Sequence, residues 1–262
     1  IFFRDWVIGS YARHALIAAA SEDVRQGLIQ HGISGHRIEV TGNPGDDLVY
    51  DVLSMDINEL RSSIYTQLHF SDDALFIMYC TEIIQDIHGI HYAKEINAAL
   101  LQAFAALPEN CRVVIKLHPR ESVDTIEYYK EIFAGERYRV INNEFDIRRL
   151  MRLAKVVIAH YSAVLSDAAL LGAIVLSIRL TQDEHIPVRF DDINPHIHIQ
   201  AYGEIKGKLL EAVSESSSLV ANQREAIRQW KQKKGQSSDC ANARRVADFI
   251  KKEIVKSNLH RS

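Results

Sequence analysis

The chain has 262 residues, 47% hydrophobic and 25% charged, a composition ordinary for a globular protein able to bury a substantial core. With 31 basic and 34 acidic side chains the formal charge is -3, which argues against a general nucleic-acid binder but leaves room for a local basic pocket. Cys80, Cys111 and Cys240 form no CxxC pair and fit a reducing, cytoplasmic compartment, and no apolar run reaches the ~18 residues of a membrane span.

The chain opens at Ile1 in mid-pattern, without a signal peptide, and reads as a piece of a longer protein. Ala15 to Ala20 is a short apolar run. Ser21, followed by Glu22 and Asp23, reads as the N-cap of a helix running to about His31, with Gly32 just beyond its end. Arg37 to Val40 is the next strand, and Thr41 to Gly45 a turn or linker. Residues 57 to 68 look helical, and Ala74 to Tyr79 form a buried strand ending in Cys80-Thr81-Glu82. An amphipathic helix is expected at 91–107, then a strand from Cys111 to Leu117, a helix at 124–133 and a strand at Tyr138 to Ile141. A short helix at 146–153 precedes a strand from Lys155 to Ala159, which ends in His160-Tyr161-Ser162. A helix at 163–171 is broken by Gly172, and Ile174 to Ile178 is the next strand. Three helices with Lys-rich faces follow, at 203–215, 221–234 and 241–256.

These strands are apolar throughout rather than alternating, as a parallel sheet covered on both faces requires. Their alternation with helices gives an α/β fold of the doubly wound class with a helical tail. The expected organisation is a remnant of a preceding domain and linker at 1–46, an α/β domain at 47–202 and C-terminal helices at 203–262.

Ligands of open parallel sheets bind at the carboxyl ends of the strands. Polar residues follow four consecutive strands here: Thr81 and Glu82; His118, Pro119, Arg120 and Glu121, preceded by Lys116; Asn142 to Glu144; and His160, Tyr161 and Ser162. A histidine and an arginine fork suit a phosphate, and a hydroxyl at a helix amino end suits an anion. Asp167, five residues past Ser162, is a candidate acceptor for a ribose or polyol hydroxyl. Each has a plain alternative: His118 as a strand-end cap, Arg120 as a surface partner of Glu121, Ser162 and Asp146 as N-caps. Asp86, His88 and His91 have metal-like spacing, as do His196 and His198, but neither set carries the fuller ligand complement of a structural site, and solvent-facing histidines are the expectation. There is no Walker A loop, no G-x-G-x-x-G and no G-x-S-x-G elbow, which disfavours P-loop ATPases, dinucleotide dehydrogenases and serine hydrolases. Arg224, Arg228, Lys231, Lys233 and Lys234 make a basic helix for which a solvated face is the first reading and peripheral membrane contact the second.

Ile115-Lys-Leu-His-Pro-Arg-Glu121 resembles the His-Pro motif of bacterial sialyl-, polysialyl- and Kdo-type transferases. Ile158-Ala-His-Tyr-Ser-Ala-Val-Leu-Ser-Asp167 is similar to the Asp-Tyr-Ser-Ser-x-x-x-Asp stretch of CDP-glycerol glycerophosphotransferases, with His160 standing where those carry Asp. Ser21-Glu-Asp-Val and Ile38-Glu-Val-Thr-Gly-Asn-Pro44 look like the domain junction of GT-B glycosyltransferases. The resemblance implies a Rossmann-like GT-B half that binds a CMP- or CDP-linked donor, without cofactor or metal, and transfers to a surface polysaccharide or glycolipid. It implies that His118 and Ser162 hold the donor phosphates, that Asp167 lies near the donor's ribose or transferred group, and that the catalytic base comes from the preceding domain; Asn142 to Asp146, Glu144 among them, are expected to touch the nucleotide base through backbone groups. Asp167-Ala-Ala-Leu-Leu-Gly172 and Ile178 to Pro187 also look like segments of UDP-sugar 2-epimerases, an alternative beside a non-catalytic binding module.

Overall fold

In this computed structural model, residues 15–83, 89–160, 163–180, 197–234 and 240–259 are described, with backbone alone at 231–234 and 255–259. In chain order the elements are β1 (Ile17–Ala19), α1 (Glu22–Gln30), β2 (Ile38–Val40), α2 (Pro44–Leu53), α3 (Ile57–Leu68), β3 (Leu75–Cys80), α4 (Ile90–Ala105), β4 (Cys111–Lys116), α5 (Val123–Ile132) and β5 (Tyr138–Ile141). Then come α6 (Ile147–Leu153), β6 (Val156–Ala159), α7 (Val164–Leu171), β7 (Ile174–Ile178), β8 (His198–Ile199), α8 (Tyr202–Val213), α9 (Ser218–Lys234) and α10 (Asn242–Leu259). They divide into two compact units. One holds the described residues up to Ser54 and those from Gln229 onward; the other runs from Met55 to Arg228.

Local chemistry sets many helix starts. Side-chain oxygens of Ser21, Asp56, Ser122 and Asp146 accept backbone N–H groups of α1, α3, α5 and α6. Gly172 ends α7 at φ 100°, a conformation that costs glycine nothing. The segment expected as a turn from Thr41 to Gly45 instead opens α2. Asn43 caps it and Pro44 stands in its first turn, where a missing N–H does no harm.

In the first unit, β1 and β2 pair in parallel around α1 over a core of Ala19, Leu28, Ile33 and Ile38. Helix α10 packs on α2. The Asp47 carboxylate on α2 accepts the N–H groups of Asn242 and Ala243 at 3.1 and 2.8 Å, and so caps a helix 195 residues away in sequence. Gly42, at φ 83°, lies so close to this cap that an added Cβ would meet Asn242 Oδ1 at 1.9 Å.

The second unit is built on a six-stranded parallel sheet of order β5-β4-β3-β6-β7-β8. Counted from β3 this is the 3-2-1-4-5-6 order of doubly wound folds, with the topological switch between β3 and β6. Side chains alternate across the sheet. Ile77, Tyr79, Val113, Ile115, Leu117, Val156 and Ile158 pack with α4, α5, α8 and α9 in one core. The intervening Phe76, Met78, Cys80, Val114, Lys116 and Ala159 are also buried and point to the other face. Among the described residues, strand β8 pairs with β7 only at Ser177 and Ile178. Further along that bare edge, Gln223 of α9 takes the missing strand's place: its Oε1 accepts the Val175 N–H at 2.6 Å and its Nε2 donates to the Val175 carbonyl at 2.9 Å. Gln223 is fully buried, so this pairing satisfies groups that water cannot reach.

Candidate functional site: an anion cleft at the sheet's carboxyl edge

The carboxyl edge of the sheet holds a cleft of about 360 Å³ lined by Cys80, Thr81, Lys116, Leu117, His118, Pro119, Asn143, Phe145, Ile147 and Val164. Strand parity explains part of this set. Lys116 and His118 are two residues apart, so both lie on the α6–α7 side of the sheet. Thr81 ties the tips of β3 and β4. Its Oγ1 accepts the His118 N–H at 2.9 Å and donates to Glu121 Oε1 at 3.0 Å.

The His118 ring is fixed in turn. Its Nδ1 accepts the Arg120 N–H at 3.2 Å, which leaves the proton of the neutral ring on Nε2. Burial, with the charges of Arg120 and Lys116 adding to it, holds the imidazole pKa below the ordinary histidine value, so the ring is neutral at pH 7. Lys116 is 5% exposed, and its Nζ donates to the Leu117 carbonyl at 2.8 Å. Burial lowers its pKa, while the neighbouring Cys80 and Glu144 oppose the shift. The Cys80 thiol is pushed up to about 12 by burial and is therefore no thiolate. Helix α7 contributes its amino end through Val164; its N-cap is Ala163, whose own side chain makes no cap hydrogen bond. The expected cap, Ser162, lies with Tyr161 outside the described residues. A cation, an imidazole N–H and a helix amino end, with no carboxylate among the described lining residues, make a cleft suited to an anion.

The other expected residues divide. Arg120 is exposed and contributes its backbone to the His118 lock. Glu82 and Glu121 do not line the cleft; they line a small void of about 10 Å³ on the α4–α5 side, with Asn97, Thr125 and Tyr129. His160 also faces that side. It is fully buried, and its Nε2 lies 3.3 Å from the Tyr79 hydroxyl. Tyr79 shares a hydrogen bond with Tyr129, and Tyr129 with Asn97. Glu144 accepts the Asn142 N–H, while its neighbours Asn143 and Phe145 meet the cleft. Asp146 caps α6. Asp167 is ion-paired to Arg148 at 3.0 Å.

Of the metal-spaced residues, Asp86, His88 and His196 lie outside the described residues. His91 is exposed, and His198, expected to face solvent, is buried at 7% exposure in β8. No group of three or more His, Cys, Asp or Glu among the described residues is placed to hold a metal. No helix among them is long and apolar enough to cross a membrane. Arg224 and Arg228 of the basic helix pair with Glu215 and Glu225.

A family model described as UDP-N-acetylglucosamine 2-epimerase matches residues 8–251. The chain belongs to the UDP-N-acetylglucosamine 2-epimerase family. That family shares the GT-B architecture, so the fold expected from the motifs and the family agree. A search of curated proteins gives no sequence match. Among solved structures, the wall teichoic acid polymerase TagF soaked with CDPG superposes with a TM-score of 0.62 at 17% identity, over 94% of this chain and 60% of that one. The UDP complex of MnaA from S. aureus gives 0.65 at 15% identity, over 90% and 60%. A glycosyltransferase from Rickettsia africae gives 0.59 at 14%, over 97% and 67%. These likenesses establish the GT-B-type fold, and the chain spans about 60% of the polymerase and of MnaA.

Proposed function

We propose that this member of the epimerase family is the nucleotide-binding half of an enzyme acting on a nucleotide-activated sugar or polyol. The observation that carries the reading is the cleft beside the topological switch, where Lys116, His118 and the α7 amino end converge with no carboxylate among them. A nucleotide's phosphates fit this end, and Phe145 offers an aromatic face for its base. When the bond between the sugar's anomeric carbon and the terminal phosphate oxygen breaks, the nucleotide leaves with the electron pair. The negative charge growing on its phosphate then meets the His118 Nε2–H and the Lys116 ammonium, which strengthens these contacts in the transition state. The scheme needs no metal or cofactor to supply positive charge at the leaving group.

Within this reading we favour a glycosyltransferase-type reaction from a CMP- or CDP-linked donor to a surface polysaccharide or glycolipid. Its support is the His118-Pro-Arg-Glu121 motif and the likeness to TagF. The family match over residues 8–251 and the likeness to MnaA with UDP favour a second reading, a UDP-sugar 2-epimerase, in which a base takes the C2 proton as UDP leaves C1, and the C1–C2 double bond so formed is closed by a proton on the other face of C2 and by UDP or water at C1. Both need a base from outside the cleft, since its described lining holds no carboxylate and His118 already donates. Thermal-shift measurements on the full-length protein with CMP, CDP, UDP and their sugar conjugates test the common claim. Stabilisation by a nucleotide that His118→Ala abolishes supports it; no response to any of them overturns it. A cytidine response points to the transferase and a uridine response alone to the epimerase.

A further inference from the structure

We propose that Ser177 is a positioning residue for the amino end of α7 and acts through His160; the inference rests on the reading that the cleft takes a nucleotide. Ser177 is a hydroxyl in an otherwise apolar strand, Ile174-Val-Leu-Ser-Ile178, and it is fully buried. A hydroxyl out of reach of water is costly unless it is hydrogen-bonded. Its partner is the His160 carbonyl, to which Ser177 Oγ donates at 2.7 Å. The β6–β7 ladder ends at the pair of Ala159 with Ser177, so this bond reaches one residue past the ladder and holds the chain as it leaves the sheet. Strand β6 lies between β3 and β7, and β3 supplies a second tie. The His160 ring is fully buried, and its Nε2 is hydrogen-bonded to the Tyr79 hydroxyl at 3.3 Å.

His160 stands three residues before Ala163, the N-cap of α7, and Val164 of that helix lines the cleft. Alanine has no side-chain acceptor, so the aim of the first N–H groups of α7 is not set from Ala163. The body of the helix is fixed by Leu165, Ala168 and Ala169, all fully buried. The start of the turn that leads into it is fixed at His160, by the carbonyl through Ser177 and by the ring through Tyr79. A helix amino end helps a phosphate only while its N–H groups stand within hydrogen-bond reach, and a misplacement of about 1 Å is enough to lose the contact. Ser177 thereby sets where these donors point without lining the cleft itself.

A bond that merely stabilises the sheet predicts a different outcome, and the ligand's phosphate separates the two. On the full-length protein, affinities for UDP and uridine, and for CDP and cytidine, are measured by direct and displacement calorimetry. The wild-type protein is expected to bind a nucleotide at least about 100-fold more tightly than its nucleoside, as two hydrogen bonds to a charged group give. Ser177→Ala should cut that ratio about tenfold, the loss of one of them, while nucleoside affinity stays within about twofold. Ser177→Thr keeps the hydroxyl on a residue suited to strands and should hold the ratio within about threefold of wild type. A melting temperature lowered by Ser177→Ala with the ratio unchanged, or equal weakening of nucleotide and nucleoside, overturns the role of Ser177. Should Ser177→Ala fail to fold, Tyr79→Phe severs the second tie on the same residue without opening a cavity. An unchanged ratio in that variant overturns positioning through His160, and a reduced one supports it. A wild-type protein that binds nucleotide no better than nucleoside, or binds neither, overturns the functional reading itself.

Discussion

Replacing His118 by Asn and by Gln separates the work of its two ring nitrogens. Nδ1 accepts the Arg120 N–H and locks the loop, so the neutral ring carries its proton on Nε2, the donor that the proposed function assigns to the nucleotide's phosphate. Asparagine places an oxygen near the Nδ1 position and has nothing at Nε2. Glutamine reaches the Nε2 position with an amide donor and gives up the lock. A hydrogen bond to a charged phosphate contributes about 1.5–3 kcal/mol. At about 1.4 kcal/mol per factor of ten, His118→Asn should weaken nucleotide binding about 10- to 150-fold, and His118→Gln by under about fivefold. Titration calorimetry with CDP and UDP reads both numbers. An Asn variant that binds like wild type refutes the assignment of Nε2 as donor. The pH dependence has a defined sign. The folded protein holds the ring's pKa down, through burial first and then Arg120 and Lys116, so it takes up this proton less readily than the unfolded chain. The ligand-free fold should therefore lose stability as pH falls below about 6.5 and gain nothing from this group above it. A protonated Nδ1 would also face the Arg120 N–H donor to donor. The Asn variant should lack this acid-side loss in melting curves taken between pH 7 and 5.

Three other substitutions probe the frame around the cleft. Lys116→Met should raise the melting temperature of the ligand-free protein, by about 2–4 °C per kcal/mol recovered, because the buried ammonium is held at a desolvation cost. The same variant should bind nucleotide at least about tenfold more weakly, and a lower melting temperature would contradict the account of the buried charge. Gln223→Leu strands the N–H and carbonyl of Val175, which should cost about 2–5 kcal/mol in a urea titration; a loss under about 1 kcal/mol would mean the edge is satisfied otherwise. Gly42→Ala forces a Cβ onto Asn242 at a positive φ and should cost about 1–3 kcal/mol, seen as earlier unfolding and proteolysis of the segment around α10.

The fold was legible because its strands are apolar runs and its helices begin at capping residues. Ser21, Asp146 and Gly172 mark their boundaries as their chemistry dictates. The strand ends likewise pointed to one edge of the sheet. What the ends do there depends on parity. Counting in twos from Ile115 separates Leu117, on the α4 side, from Lys116 and His118, on the α6 side. The same counting from Ile158 sends His160 away from the cleft, so this division was available in the sequence and was hidden by treating each strand end as one polar cluster. The ion pair of Arg148 with Asp167 carried no such signal. Its two members are 19 residues apart, and only the packing of α6 on α7 brings them together. The α2 start was masked by Asn-Pro-Gly, which serves turns and helix starts alike.

The threonine at the tip of β3 has a consequence for how a ligand meets this edge. One hydroxyl clamps the neighbouring strand tip from two sides, through the His118 N–H and the Glu121 carboxylate. On the proposed function, the loop after β4 is therefore already in its receiving geometry before a nucleotide arrives. Association then costs mainly the freedom of the incoming molecule, and little of the protein's own. Removing that single hydroxyl would turn a rigid receptor into one that must fold around its guest, and the change would register as a more unfavourable binding entropy.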